Sequence, residues 1–155
     1  MVDAGGNVAL GSDSGNYSDY FDVGRQAYLA ATLHREARGE LPTITAEAAL
    51  EMATLNGTHA LGVDDRLGSL EAGKQADIVV HAYDRPEWRP CLDPVNSLIY
   101  SAQSTGVRTV IVQGEVILED GRFTRVDEEA EYRRIDQAAR SLYERMGWQP
   151  QDRWP

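Results

Sequence analysis

Two runs of aliphatic and β-branched residues, separated by two turn residues, most constrain the fold of this chain. The runs VRTVIV and EVILE flank Gln113-Gly114, and a two-residue spacing of this kind is typical of a tight antiparallel hairpin. Asp120-Gly121 predicts a further turn after the second run. A third strand-like run, DIVVH, occupies residues 77–81. The sequence therefore predicts a β-rich region in the second half of the chain.

Helical periodicity dominates the residues before this β-rich region. From about Asp19, residues at helical spacing share one face, which comprises Val23, Ala27, Ala30 and His34. Gly39 and Pro42 follow this pattern and predict the end of the first helix.

A second helix is predicted to begin after Thr45. The Thr45 side chain can accept a hydrogen bond from the first turn, and Glu47 suits the positive end of the helix dipole. The buried face is expected to comprise Ala49, Met52 and Ala53. Asn56-Gly57 predicts the end of this helix, with Gly57 as the left-handed residue.

Two further helices are predicted in the second half. Residues 93–102 begin with an N-cap aspartate, Asp93, and a proline at the first helical position. The last helix is expected to run roughly from Glu128 to Met146, with an acidic first turn and arginines near its end. Its apolar stripe comprises Ile135, Ala139, Leu142 and Met146.

Composition limits the partners of the chain. Of its 155 residues, 42% are hydrophobic, which is enough for a packed core. The formal net charge is −10, so neither nucleic acid nor an anionic membrane is expected as a partner, because phosphates would be repelled. The single cysteine, Cys91, cannot form an internal disulfide. A reducing compartment and an acidic, glycine-rich start unlike a signal peptide lead us to expect a cytoplasmic location.

Two ligand-binding motifs are approached but not matched. Residues 68–75, GSLEAGKQ, resemble a phosphate loop, but Gln75 offers magnesium no hydroxyl and a strand follows where a helix should begin. The acidic segment from Asp13 to Asp22 fails the calcium-loop pattern, because positions 3, 6 and 12 of that loop are Gly15, Ser18 and Gly24. An acidic calcium-binding protein is therefore the weakest of the functional hypotheses.

One carboxylate follows a predicted strand and lies among small residues. The strand is predicted over Asn7–Leu10, and Asp13 lies in the turn-like segment Gly11–Ser18. An acid just past the carboxyl end of a barrel strand is where (β/α)₈ enzymes place their chemistry. A carboxylate there can bind a divalent metal and accept a proton from water. Asp13 is therefore a candidate catalytic residue, and a solvated turn residue is the alternative.

Three motifs in order along the chain carry a resemblance to a known family. They are ALGSD at 9–13, ATLNGTHALG at 53–62 and GSLEAGKQAD at 68–77. With their surroundings they resemble the carboxyl-terminal part of the amidohydrolase superfamily, most of all its cytosine-deaminase-like and triazine-hydrolase-like branch. The resemblance covers nearly the whole chain.

The resemblance implies roles for three residues near the first motif. Asp13 matches the aspartate that follows the eighth barrel strand, which binds the metal and acts as the base toward the hydrolytic water. The loop after it faces the substrate, so Asn16 and Tyr17 are candidate substrate-binding residues. A divalent metal, zinc or iron, and a small-molecule substrate with a hydrolysable C–N bond are implied for the parent enzyme.

The resemblance also implies an α/β fold divided into three parts. Residues 1–62 are expected to form the last strand and helices of a (β/α)₈ barrel. Residues 63–125 are expected to form the carboxyl-terminal half of a small β-sandwich, and residues 126–155 a closing helix and tail. The sequence looks like roughly the last third of such a hydrolase.

The histidines of the chain do not match the metal ligands of such enzymes. The family has an early His-x-His pair, whereas His34, His59 and His81 are isolated and all follow Asp13. One carboxylate cannot hold a catalytic divalent ion, which takes about three protein ligands. We therefore expect this chain alone to bind no metal and to be inactive. We also expect a homo-oligomer, because a lone barrel strand at Val8–Leu10 would expose its edges.

Two functional hypotheses stay open from the sequence. The first is part of a metal-dependent amidohydrolase or deaminase. The second is a non-catalytic β-sandwich module that forms oligomers.

Overall fold

The computed structural model describes residues 5–14, 20–38, 44–102 and 104–147, and it describes residues 34–38 by their backbone alone. The chain divides into two compact units, Met1–Gly121 and Arg122–Pro155, and each is described by itself. The predicted division into three parts, at residues 62 and 125, stays a prediction.

The described residues of the first unit contain four α-helices. They are α1 (Val23–Arg38), α2 (Ala46–Ala53), α3 (Leu55–Leu61) and α4 (Pro94–Tyr100). Helix α1 packs against α2, and α4 packs against both. Two short 3₁₀ turns, Pro86–Trp88 and Ser104–Gly106, occur between the other elements.

Small side chains make up most of the hydrophobic core between these helices. Ala27 of α1 and Ala49 of α2 are fully buried, so the two helix backbones approach closely. The complete buried cluster comprises Ala27, Ala31, Ile44, Ala46, Ala49, Met52 and Ile99. The predicted burial of Ala49 and Met52 is confirmed. The predicted face of α1 is wrong at Val23, which is the first residue of the helix and is 38% exposed, so the burial of this face begins at Ala27.

Side-chain caps fix the starts of the helices. Asp22 Oδ1 accepts from Arg25 N–H at 3.1 Å, so α1 begins four residues after the predicted Asp19. Thr45 Oγ1 accepts from Ala48 N–H at 3.2 Å, and Asp93 Oδ1 accepts from Val95 N–H at 2.8 Å. Both of these caps are confirmed. The predicted stop signals of α1, Gly39 and Pro42, lie outside the described residues.

The prediction that Gly57 ends the second helix is wrong. A separate helix, α3, runs through Gly57, and the left-handed residue is Gly62, with φ 66°. The peptide N–H of Gly62 bonds the carbonyls of His59 and Thr58, which closes the helix end. Thr54, with φ −133° and ψ −89°, separates α2 from α3, where the sequence predicts one continuous helix.

The predicted strand at Asn7–Leu10 is not assigned as a strand. The described part of this segment is extended but belongs to no sheet. Among the described residues it has no neighbouring strand to pair with, and its hydrogen bonds go to α2 and α3 instead.

The predicted hairpin is confirmed. Strands β1 (Ile78–His81), β2 (Val107–Val112) and β3 (Glu115–Glu119) pair antiparallel in that order, with Ile78 opposite Ile111 and Val112 opposite Glu115. Gln113 and Gly114 both have positive φ, 51° and 82°, as a two-residue hairpin turn requires. The predicted Asp120-Gly121 turn is confirmed with φ 47° and 75°.

The second unit contains β4 (Arg122–Phe123) and a long helix, α5 (Glu128–Met146). The helix has the predicted bounds. Asp127 Oδ1 accepts from Ala130 N–H at 3.0 Å, and Gly147 ends the helix in the left-handed conformation. No residue of α5 is buried, so its predicted apolar stripe faces solvent.

The predicted α/β class is confirmed as helices with a small antiparallel sheet. Within the described ranges, no helix combines the length and the apolar character needed to cross a membrane.

Replacing Thr45 with alanine is expected to lower the free energy of unfolding by about 1 kcal/mol, because the N-cap acceptor of α2 is lost. Thr32→Ala is the matched control. The Thr32 hydroxyl only donates to the Tyr28 carbonyl of its own helix, so its loss is expected to change stability by less than about 0.5 kcal/mol. Urea unfolding of both variants measures the difference. Equal losses would contradict a capping role for Thr45.

Candidate functional site

Asp13 lies on an exposed turn directly after the extended segment. Its backbone is left-handed, with φ 58°, a conformation that aspartate tolerates better than most residues. Its Oδ1 accepts from the Ser14 N–H at 2.7 Å. At Gly11, two residues earlier, an added Cβ would meet no heavy atom within 4 Å, so nothing crowds that side of the turn. Asp13 is therefore an exposed carboxylate bonded to a neighbouring backbone N–H.

Two asparagines fasten the segment before Asp13 to the helices. Asn7 Nδ2 donates to the Asn56 carbonyl at 3.0 Å, and Asn56 Nδ2 donates to the Val8 carbonyl at 2.9 Å. We call these two side chains the amide clamp. Leu10 N–H also donates to the Met52 carbonyl at 2.9 Å, and the side chains of Val8 and Leu10 pack against the buried core. The turn that carries Asp13 therefore begins from a fixed support.

The start of α1 anchors the far end of the loop. Asp22 caps the helix, and the Arg25 guanidinium lies 3.9 Å above the centre of the Tyr20 ring. Asn16 and Tyr17, the candidate substrate-binding residues, lie in residues 15–19 and outside the described residues. Their assignment stays a prediction.

Among the described side chains, His59 and His81 form no metal-ligand cluster with Asp13. His59 Nε2 lies 3.3 Å from Asp64 Oδ2 on the surface. The His81 ring packs edge-on against Trp88, with 6.0 Å between ring centroids. The side chain of His34 lies outside the described part of the chain. Across the described residues, no group of three or more His, Cys, Asp or Glu side chains could hold a metal ion.

His81 sits in an apolar environment at the end of β1. Its Nδ1 is buried and has no hydrogen-bond partner among the described residues. Burial lowers the pKa of His81, and the negative charge of Asp22 opposes this effect in part. Nδ1 therefore sits in surroundings that favour the neutral ring.

The segment that resembles a phosphate loop is a structural turn. Lys74 Nζ donates to the Asp64 carbonyl at 2.8 Å and to Ser69 Oγ at 2.7 Å, and it lies 3.3 Å from Glu71 Oε1. The hydroxyl of Ser69 donates to Glu71, and this bond together with Lys74 lowers the pKa of Glu71. The lysine is thus held within the turn, and the rejection of nucleotide binding by sequence agrees with the geometry.

The amide clamp was missed by sequence reasoning, which treated Asn56 only as a helix-end residue. A signal existed in the motif ATLNGTHALG, where an asparagine occupies a helix interior that it does not favour. Such a residue is often retained for a side-chain hydrogen bond to another segment. Its partner at Val8 could not be read from local pattern.

Comparison with known proteins defines the class of the chain. Residues 1–117 match the model of the amidohydrolase family. The chain belongs to the amidohydrolase family.

The relatives by sequence are deaminases. The chain is 35% identical to a 5-methylthioadenosine/S-adenosylhomocysteine deaminase of Thermoanaerobacter pseudethanolicus over 94% of this chain and 34% of that protein. It is 37% identical to a 5'-deoxyadenosine deaminase of Methanosarcina acetivorans over 94% of this chain and 33% of that protein. The chain therefore spans about a third of the length of these relatives.

The relatives by structure include two zinc-bound enzymes. An adenosine deaminase from Xanthomonas campestris with bound zinc superposes with a TM-score of 0.84 at 31% identity, over 88% of this chain and 31% of that chain. An atrazine chlorohydrolase from Arthrobacter aurescens complexed with zinc has a TM-score of 0.76 at 33% identity, over 83% and 29%. The predicted family and the relation to triazine-hydrolysing enzymes are confirmed.

The described residues do not by themselves fit a catalytic zinc ion. Such a site takes three protein ligands and one open position. Asp13 offers one carboxylate, and in the described ranges it belongs to no group of three or more His, Cys, Asp or Glu side chains that could hold a metal ion. A complete metal site would therefore need donors beyond these residues.

Asn56→Ala is expected to destabilise the chain by about 1 kcal/mol, because the Val8 carbonyl loses its donor and the segment before Asp13 loosens. Amide hydrogen exchange at Leu10 should accelerate in parallel. The neighbouring change Gly57→Ala is the control. Its added Cβ meets nothing within 4 Å on a helix, so stability should rise by up to about 1 kcal/mol. Unchanged exchange at Leu10 in Asn56→Ala would argue against the clamp.

The free energy of unfolding is expected to fall as the pH drops from about 7.5 to 5.5, in part because of His81. The folded state lowers the pKa of this residue, so the unfolded state binds the proton first as the pH falls through about 6.5. His81→Phe should flatten this dependence and leave stability at pH 8 nearly unchanged. Urea titrations at several pH values provide the measurement. A wild-type slope in His81→Phe would show that other groups are responsible.

Proposed function

We propose that this chain is the carboxyl-terminal part of a metal-dependent deaminase and supplies Asp13 to its active site. The proposed substrates are adenine nucleosides modified at the 5′ position, as the names of the relatives suggest. The proposed cofactor is a divalent metal, zinc in the first instance, because two structural relatives contain it.

The position of Asp13 is the observation that carries this proposal. The carboxylate is exposed, it follows a segment held by the amide clamp, and its left-handed backbone is fixed by a hydrogen bond to the next residue. A catalytic side chain needs such a fixed origin, because misplacement by about 1 Å can cost two orders of magnitude in rate. A solvated turn residue has no comparable need for anchoring.

The chemistry proposed for Asp13 is proton transfer. In hydrolytic deamination, water adds to the carbon that bears the amino group, and ammonia leaves. Asp13, as a carboxylate, accepts the proton of the attacking water, and that proton then leaves with the ammonia. Asn16 and Tyr17, on the loop that follows, are proposed to contact the substrate, on the strength of the family resemblance alone.

The chain by itself is proposed to be inactive. A catalytic metal takes about three protein ligands, and the described residues contain no group of three or more His, Cys, Asp or Glu side chains that could hold one. The remaining donors are proposed to come from preceding parts of a (β/α)₈ barrel, next to which Val8–Leu10 would lie as a strand.

Complementation tests this proposal. Purified chain with zinc and 5'-deoxyadenosine is expected to release no ammonia. Co-expression with the preceding two-thirds of the Methanosarcina acetivorans relative should give deamination, which Asp13→Asn should reduce by at least about 100-fold. Asp65→Asn is the matched control, since Asp65 is an exposed aspartate remote in sequence, and it should leave the rate within about twofold.

Two outcomes would overturn the proposal. One is turnover by the isolated chain, which would place all ligands within it. The other is full activity of Asp13→Asn in a complex that the wild-type chain activates.

A second candidate function is a non-catalytic β-sandwich module that forms oligomers. The observation in its favour is the exposure of large apolar side chains, with Phe21 and Leu70 each 79% exposed and Leu92 94% exposed. Stable association without deamination in any combination would support this candidate.

A further inference from the structure

The helix α5 carries its apolar residues in one solvent-exposed row. We call this row the α5 seam, and it consists of Tyr132, Ile135, Ala139, Leu142 and Met146. Successive members are alternately three and four residues apart, which is the a/d spacing of a coiled-coil contact. Ile135 and Met146 are 62% and 67% exposed, so the seam is available to a partner helix.

The charges of α5 are distributed unevenly along its length. Residues 127–136 contain five acids and two arginines, whereas residues 137–147 contain two arginines and one acid. Two such helices side by side in the same direction would place the acidic ends together. In opposite directions, the acidic start of each lies beside the arginines of the other, and the helix dipoles also oppose favourably.

We propose that the α5 seam pairs with the same seam of a second copy of this chain, with the two helices antiparallel. This inference does not depend on the deaminase proposal, because it concerns the association of two chains and not catalysis.

One register satisfies both the apolar and the charged positions. With Ala139 opposite Ile135 of the second copy, a small side chain meets a large one at the two central layers, and Tyr132 lies opposite Leu142 at the outer ones. Glu131 then flanks Arg145 of the second copy on both sides of the two-fold axis. Glu131 also accepts from Arg134 of its own helix at 2.8 and 3.1 Å, and a carboxylate has acceptor sites for both arginines.

The same register places one unfavourable pair at the centre. Asp136 would lie beside Asp136 of the second copy, across the two-fold axis. Removal of this charge should therefore strengthen the dimer. Non-specific hydrophobic association does not predict an effect in this direction.

The first test is sedimentation equilibrium of the full chain over a range of concentrations up to about 0.5 mM. The wild type is expected to show a monomer–dimer equilibrium, and Ile135→Asp should weaken it by at least about tenfold. Leu92→Asp is the matched control: it also replaces an exposed aliphatic residue, but in the first unit, and it should leave the equilibrium unchanged. Circular dichroism verifies that each variant keeps its helix content.

The second test establishes orientation by charge reversal. Glu131→Arg should weaken the dimer about fivefold, since two arginines then meet at each side, and the double change Glu131→Arg/Arg145→Glu should restore it to within about twofold. Asp136→Asn should tighten it about twofold or more.

The results that would overturn the proposal are specific. A monomer at every concentration excludes self-pairing. A dimer that Ile135→Asp leaves intact places the contact elsewhere. A double charge reversal that fails to restore the dimer excludes the antiparallel register. Binding of the seam only to a different polypeptide, with no dimer of this chain, would also overturn it.

Discussion

The docking of one extended segment onto two helices is the interaction on which the rest of the site depends. The segment before Asp13 has backbone groups that need partners, and the described residues offer it no neighbouring strand. The amide clamp meets part of that need at the Val8 carbonyl, Leu10 N–H donates to α2, and the Asn7 side chain adds a bond to the Asn56 carbonyl. Without these bonds, Asp13 would sit on a segment held only by apolar contacts, which fix position but not direction.

The elements of the chain differ in how far they bury their apolar side chains. The helical core closes around alanines, whose small volume lets α1 and α2 approach each other. The sheet and α5 differ, because Val79, Val116 and the α5 seam remain open to solvent. Exposed apolar faces are costly in water. The self-pairing proposal covers the α5 seam with a second copy of the chain, and the deaminase proposal adds the preceding parts of a larger protein.

Local chemistry made much of the fold predictable. The caps at Thr45 and Asp93 and the turn at Gln113-Gly114 each depend on a few adjacent residues, and all were found where the sequence placed them. The end of α3 was not predictable in this way. Gly68, with φ 95°, approaches Thr58 so closely that an added Cβ would lie 2.5 Å from Thr58 Oγ1. Thr58 lies in the part of α3 that follows Gly57, so this contact joins the helix to a residue ten positions further along the chain.

The sequence by itself determined the family, the α/β class, the hairpin and the identity of the candidate carboxylate, because motifs, caps and turns act over short distances. Tertiary structure alone decided that Val8–Leu10 is held by asparagines and not by strand pairing. It also decided that no residue of α5 is buried among the described residues. Both outcomes depend on which distant residues are within reach, and residue spacing along one segment carries no information about that.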